Sequence, residues 1–371
     1  MKIKFLSSII LFIVILSGFE TAEYQTNLNL TAAQIKAASL KLDSLVYSKM
    51  GKNFPGFAVL VVKAGKKIYN KGFGFENLQS KQKITPNTNF YLASVSKEFT
   101  AMAIMILHDR GKLNFDDKIQ KYLPSFPSYG KDVTIRELLT HTSGIPDYYS
   151  LLGYGHNFSG ITNKDVWQLL LKQDSLNFQP GSKYEYSNSG YVLLSMIVER
   201  ISRQPFAMFM KKNIFEKLRM NNTLVCTPNN YFKISNRATG YIKDSTGNYV
   251  KDDYNQFTTG AGGIFSNIND LYKWDQSLYT SKLVKKSTLQ EAFTKQKLNN
   301  EKDIDYGFGW VIGSFEDGKL KGFKYLYHTG ALDGFRNLIF RIPELHFSYI
   351  VLSNSGEDLA NPETITKLFF N

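Results

Sequence analysis

The sequence predicts an α+β fold: an α/β sandwich in which one antiparallel sheet, built from both chain ends, is flanked by helices and joined to a mostly helical central lobe. Three observations predict it. Apolar, β-rich runs stand near the start, at 57–63 and 66–73. Similar runs return near the end, at 309–313, 324–328, 338–341 and 347–352. Between them, from roughly 113 to 280, the pattern is mostly helical and broken by Pro and Gly. Strands segregated from helices in this way form one sheet when the chain ends meet, and the helices then cover its faces.

The elements follow in order. Residues 29–50 read as an amphipathic helix with Thr31 as its cap. The runs at 57–63 and 66–73 form a hairpin turned by Ala64-Gly65. Residues 97–110 are apolar almost all round and stop at Gly111, the pattern of a buried helix. Further helices are expected at 166–171 and 191–201, and a last helical piece at 364–370. The short tail after Leu352 leaves little chain for a long final helix. There is no internal repeat and no linker of disordered composition.

Composition narrows the function. A length of 371 residues suits two domains or one large one. The balance of 43% hydrophobic and 21% charged residues is that of a globular chain. Forty-five Lys and Arg against 32 Asp and Glu give a net charge of +13. The basic residues are scattered, so they read as a solvated surface and no nucleic-acid partner is expected. One cysteine, Cys226, excludes an intrachain disulfide and a cysteine zinc site, and it reads as inert. The five histidines lack H-E-x-x-H spacing, and neither a P-loop nor a G-x-S-x-G elbow occurs. No metal or organic cofactor is implied.

Residues 1–22 are expected to be a signal peptide. Lys2 and Lys4 precede an apolar stretch at 5–16, and Ser17-Gly18 offers small residues for cleavage. The stretch is short for a span of about 20 residues, and no other segment is expected to cross a membrane. The mature chain, 23–371, is then expected to be one large domain with the helical lobe inserted at roughly 113–280, and to be periplasmic or secreted. The oligomeric state stays open.

Ser-x-x-Lys occurs at Ser80, Ser94 and Ser128. Only Ser94 opens a long apolar helix, where Lys97 shares its face. Desolvation there lowers a lysine's pKa and lets it accept a proton. Tyr186-Ser187-Asn188 follows a Pro-Gly turn and enters a helix; Asn188 can bond a lysine or a substrate amide. His328-Thr329-Gly330 ends a predicted strand, where Gly330 permits close backbone approach.

With these three motifs in this order, the chain resembles the serine β-lactamase and penicillin-binding-protein superfamily, in its class C β-lactamase and DD-peptidase-like branch. The segments 90–101, 133–144, 180–200 and 260–271 are similar to further blocks of that family, and the resemblance runs over roughly 35–371. It implies a β-lactamase/transpeptidase-like fold and a serine hydrolase. It implies Ser94 as nucleophile of an acyl-enzyme, with Lys97 and Tyr186 sharing the proton transfers. Asn188, His328, Thr329, Gly330 and Ala331 would bind substrate, with the N–H groups of Ser94 and Ala331 as oxyanion hole. His141 is expected near the cleft in a structural role.

The resemblance departs from the class C lactamases at His328, where those enzymes carry Lys. This shifts the expected substrate from β-lactams toward D-Ala-D-Ala-type peptides or small esters. A histidine of ordinary pKa predicts that affinity for a carboxylate-bearing substrate rises as pH falls through about 6.5. Two alternatives stand beside the hydrolase: a penicillin or peptidoglycan sensor that does not turn over, and an efficient class C-type β-lactamase. Pocket shape is expected to depend on Tyr148, Tyr149, Tyr254 and Phe257.

Overall fold

A computed structural model describes residues 28–51, 53–153, 156–253 and 256–371; the expected signal peptide and Tyr254 lie outside the described residues. The central sheet has seven strands: β1 (Gly56–Lys63), β2 (Lys66–Asn77), β3 (Gln82–Lys83), β4 (Val311–Ser314), β5 (Lys324–Leu332), β6 (Phe335–Ile342) and β7 (Phe347–Ser353). Their order is β4-β5-β6-β7-β1-β2-β3. Every neighbouring pair is antiparallel. The two ends of the chain meet where β1 pairs with β7, with Val59 opposite Val351.

The framing helices are α1 (Ala32–Lys49), α2 (Ser96–Asp109), α3 (Asn188–Ser202), α4 (Ile268–Ser277) and α5 (Pro362–Phe370). Successive side chains of a strand point to opposite faces, and both faces of β1 are covered. Ala58, Leu60 and Val62 join the core that contains α2 and α3. Phe57, Val59 and Val61 join a second core with Leu42 and Val46 of α1 and Ile365 and Phe369 of α5. This double burial explains the unbroken apolar run of β1. Thr31 caps α1 through a reciprocal capping box with Gln34. Within α2 every residue from Ser96 to Leu107 is buried.

Two differences from the sequence expectation bear on the site and the sheet. The strand expected to end at His328 continues to Leu332, because Asp333-Gly334 turns it directly into β6, with Leu332 opposite Phe335. Helix α4, counted with the helical lobe, packs on β1 and β7 instead. Its Asp275 is anchored by Arg341 of β6 at 2.6 Å and by Ser348 of β7 at 3.0 Å, all three buried. Among the described residues no helix is long and apolar enough to cross a membrane, and no cluster of His, Cys, Asp and Glu could hold a metal ion. Cys226 is buried, and burial pushes its thiol up to about 12.

Candidate active site

Ser94 sits in a tight 3-10 turn, Ala93–Val95, immediately before α2. Ala93 takes a left-handed conformation at φ 49° to make that turn, a backbone state that L-residues rarely occupy. The turn is held from three sides. Tyr91 pairs with Phe265 of the strand Ile264–Ser266. The Leu92 N–H donates to the Ile264 carbonyl at 2.8 Å. Asn337 of β6 donates its Nδ2–H to the Tyr91 carbonyl at 2.9 Å. Neighbouring β5 presses against the turn at Gly330, where a Cβ would lie 2.2 Å from the Leu92 carbonyl oxygen. Gly330 is therefore required by contact with the Ser94 turn and does not mark a strand end. Gly330→Ala is expected to displace β5 from Ser94 and to lower kcat/KM about 10- to 100-fold, with the melting temperature reporting whether the fold survives.

Lys97, fully buried on the first turn of α2, lies beneath Ser94. Its Nζ is 3.0 Å from Ser94 Oγ, 2.9 Å from Asn188 Oδ1 and 2.9 Å from the Ala261 carbonyl. It also stands over the faces of Tyr186 and Tyr191, 4.7 and 5.6 Å from the ring centroids. Desolvation lowers its pKa to about 7, against the opposing pull of Asp147.

Asn188 is the first residue of α3, directly after the Ser187 cap. Asp147 Oδ2 accepts from both the Asn188 backbone N–H and its Nδ2–H, the latter at 3.1 Å. This turns the amide oxygen of Asn188 toward Lys97. The other carboxylate oxygen caps the helix Tyr148–Leu152 through the Tyr149 N–H at 2.8 Å.

Tyr186 lines the same cleft, with 36% of the residue exposed. Crowding in the cleft, reinforced by Tyr184 and Asp147, pushes its hydroxyl above the ordinary phenol range, although a hydrogen bond with Ser94 works the other way. His141 holds its segment. The His141 carbonyl accepts from Glu185 N–H at 2.9 Å, and its Nδ1 accepts from Ser187 N–H at 3.1 Å. The imidazole lies 4.3 Å from the Tyr186 ring, centroid to centroid.

His328, Thr329, Ala331 and Leu332 of β5 form one wall. His328 is buried, its Nδ1 2.6 Å from the Thr329 carbonyl and its Nε2 2.9 Å from the Tyr306 hydroxyl. A carbonyl cannot donate, so Nδ1 carries the proton and Nε2 accepts from Tyr306. Burial, with Lys97 nearby, pushes the His328 pKa down to about 3. The expected switch near pH 6.5 is therefore overturned: the ring is neutral throughout the neutral range.

The cleft encloses about 530 Å³. Ser94, Lys97, Tyr186, Asn188 and the β5 motif, distant in sequence, converge on it. Tyr148 and Tyr149 line it as expected; Phe257 is not among its described lining residues. Sequence reasoning missed Asp147, the Ala261 carbonyl and Tyr306. A readable signal existed for Asp147 alone: an acidic residue after Gly144-Ile145-Pro146 and before a short apolar helix is a cap pattern.

Comparison with known proteins agrees with this geometry. The family model described as Beta-lactamase matches residues 42–367. Penicillin-binding protein 4* of Bacillus subtilis (strain 168) is 36% identical over 326 residues, which cover 83% of this chain and 70% of that protein. Protein flp of Staphylococcus aureus (strain MW2) is 28% identical over 341 residues; the match spans 88% of this chain and 64% of that protein, less than two thirds of its length. Among solved structures, the octameric penicillin-binding protein homologue from Pyrococcus abyssi superposes with a TM-score of 0.76 at 30% identity, over 88% of this chain and 75% of that one. With a seven-stranded antiparallel sheet, a matching family model over most of its length and relatives of the same fold, the chain belongs to the beta-lactamase family and is a serine hydrolase of the β-lactamase and penicillin-binding-protein superfamily.

Proposed function

We propose that the chain hydrolyses a small ester or amide through a covalent acyl-enzyme on Ser94. The observation that carries this reading is the buried Lys97 amine, poised at a pKa of about 7 and 3.0 Å from Ser94 Oγ. In its neutral form the amine takes the Ser94 proton as Oγ bonds to the carbonyl carbon. Tyr186 stays protonated in the neutral range, which makes it the donor to the leaving oxygen or nitrogen, and the proton on Lys97 restores it. Water then adds to the acyl carbon as it gives a proton to the neutral Lys97 amine, the bond to Oγ breaks, and Lys97 returns that proton to Ser94. The N–H groups of Ser94 and Ala331 act as the oxyanion hole, each such donor being worth about 2.7–4 kcal/mol of barrier. Asn188 orients Lys97, and β5 at Thr329 to Ala331 supports the substrate.

The test is intact-mass analysis after incubation with an uncharged alkyl fluorophosphonate. A single adduct is expected on wild type, on the peptide containing Ser94, and none on Ser94→Ala. An adduct that persists in Ser94→Ala would sink the assignment. We also propose export, from the pattern at 1–22; the mass of protein recovered from medium or periplasm reports whether that segment is removed.

A further inference from the structure

The walls of the cleft differ from what an anionic substrate requires. Among the described lining residues there is no Lys, Arg, Asp or Glu. Seven are tyrosines: Tyr91, Tyr148, Tyr149, Tyr184, Tyr186, Tyr306 and Tyr327. Desolvation raises every one of these phenols, Tyr184 to about 12 and the others also above the ordinary range, so all are uncharged at neutral pH. Ala93, Val311, Ala331 and Leu332 add aliphatic surface.

The cations nearby are committed elsewhere. The three N–H bonds of the Lys97 ammonium are matched by three protein acceptors, Ser94 Oγ, Asn188 Oδ1 and the Ala261 carbonyl. His328 is neutral, its Nδ1–H given to the Thr329 carbonyl and its Nε2 occupied by Tyr306. Lys183, beside Tyr184 in sequence, is paired with Glu185 at 2.8 Å. The Arg336 guanidinium is turned to the Asp333 and Phe335 carbonyls at 2.9 and 2.8 Å.

We propose that this cleft selects substrates without a carboxylate near the scissile bond: uncharged esters or amides whose flanking groups are aromatic or aliphatic. The proposal rests on the acyl-enzyme reading of Ser94. A carboxylate entering the cleft leaves its hydration shell and meets no cation in return, whereas an aromatic or aliphatic group gains the faces and edges of the tyrosine rings. The same property assists turnover. Attack of Ser94 on an ester releases the alcohol, and hydrolysis of the acyl-enzyme releases an acid that ionises, so the product is the species the walls hold least well.

The experiment uses matched pairs with the wild-type protein. One pair is 4-nitrophenyl hexanoate against the 4-nitrophenyl monoester of adipic acid, equal in chain length and different in a terminal carboxylate. The other is N-acetyl-D-alanyl-D-alanine against its C-terminal amide. The neutral member of each pair is expected to have kcat/KM higher by about 10- to 100-fold, the worth of a charged hydrogen-bonded contact that is missing, with most of the difference in KM. Leu332→Arg places a cation at the end of β5 and is expected to narrow the ratio; the wild-type pairs decide the matter even if that variant does not fold. Fluorophosphonate labelling of the same preparation separates the two levels. Labelling at Ser94 with equal rates on both members, or with the carboxylate preferred, overturns the selectivity and leaves the serine mechanism standing. Absence of labelling overturns both.

Discussion

Lys97→Met is expected to lower kcat/KM by about 10²- to 10⁴-fold, the usual contribution of a positioned general base, while leaving the fold intact. Methionine fills the same buried channel with an apolar chain of similar length, so the loss reports the amine. What remains is Ser94 with no acceptor for its proton, since Tyr186 is held protonated. The pH profile gives the sharper check. Below about pH 7 the Lys97 ammonium predominates and has no lone pair to offer; above it the neutral amine does. Wild-type kcat/KM is therefore expected to rise with pH through about 7 and then level off, and that limb is expected to vanish in Lys97→Met. A rate profile from pH 5 to 9 on both proteins, with thermal melts at each pH, measures this. A variant that keeps the limb would show that another group titrates.

The parts of this site that could be read from sequence are those fixed by local geometry. Ser94 and Lys97 are three residues apart at the start of one helix, so their proximity follows from helical periodicity alone. The sheet was legible for a similar reason. Runs such as 58–62 and 349–352 are apolar at every position, as strands covered on both faces must be. Contacts that depend on tertiary placement had no comparable signal. Asn188 was legible as a residue able to bond a lysine, but its reach to Lys97 across 91 positions came from the motif order and not from local spacing, and the cap pattern at Asp147 did not reveal that the fold sets this carboxylate behind Asn188. The protonation of His328 was misjudged because it is decided by burial and by the Tyr306 hydroxyl, neither of which a motif encodes. Gly330 was legible as important and wrong in its reason: it admits the Leu92 carbonyl, and the strand runs on past it.

Asp147→Asn is expected to lower kcat/KM about 10- to 100-fold by loosening the residue that aims Asn188 at Lys97, and also to move the acidic limb of the profile. The replacement keeps the shape but removes the charge. One side-chain oxygen remains, and the new amide brings donors toward the Asn188 N–H and Nδ2–H groups, which are donors themselves. Asn188 then loses the restraint on its amide orientation, and its Oδ1 spends less time 2.9 Å from Nζ. The direction of the pH shift follows from charge. Asp147 favours the ammonium form of Lys97 and so raises its pKa against the larger effect of desolvation. Without that carboxylate the amine gives up its proton more readily, and the limb moves to lower pH. A residue that merely capped the helix Tyr148–Leu152 would, on substitution, change the melting temperature and leave the limb in place. Asn188→Ala separates the two contributions: it removes the oriented amide but keeps the Asp147 charge, so it is expected to lose rate without the downward shift. If Asp147→Asn loses stability alone, with limb and rate as in wild type, Asp147 is a cap and has no hold on Lys97.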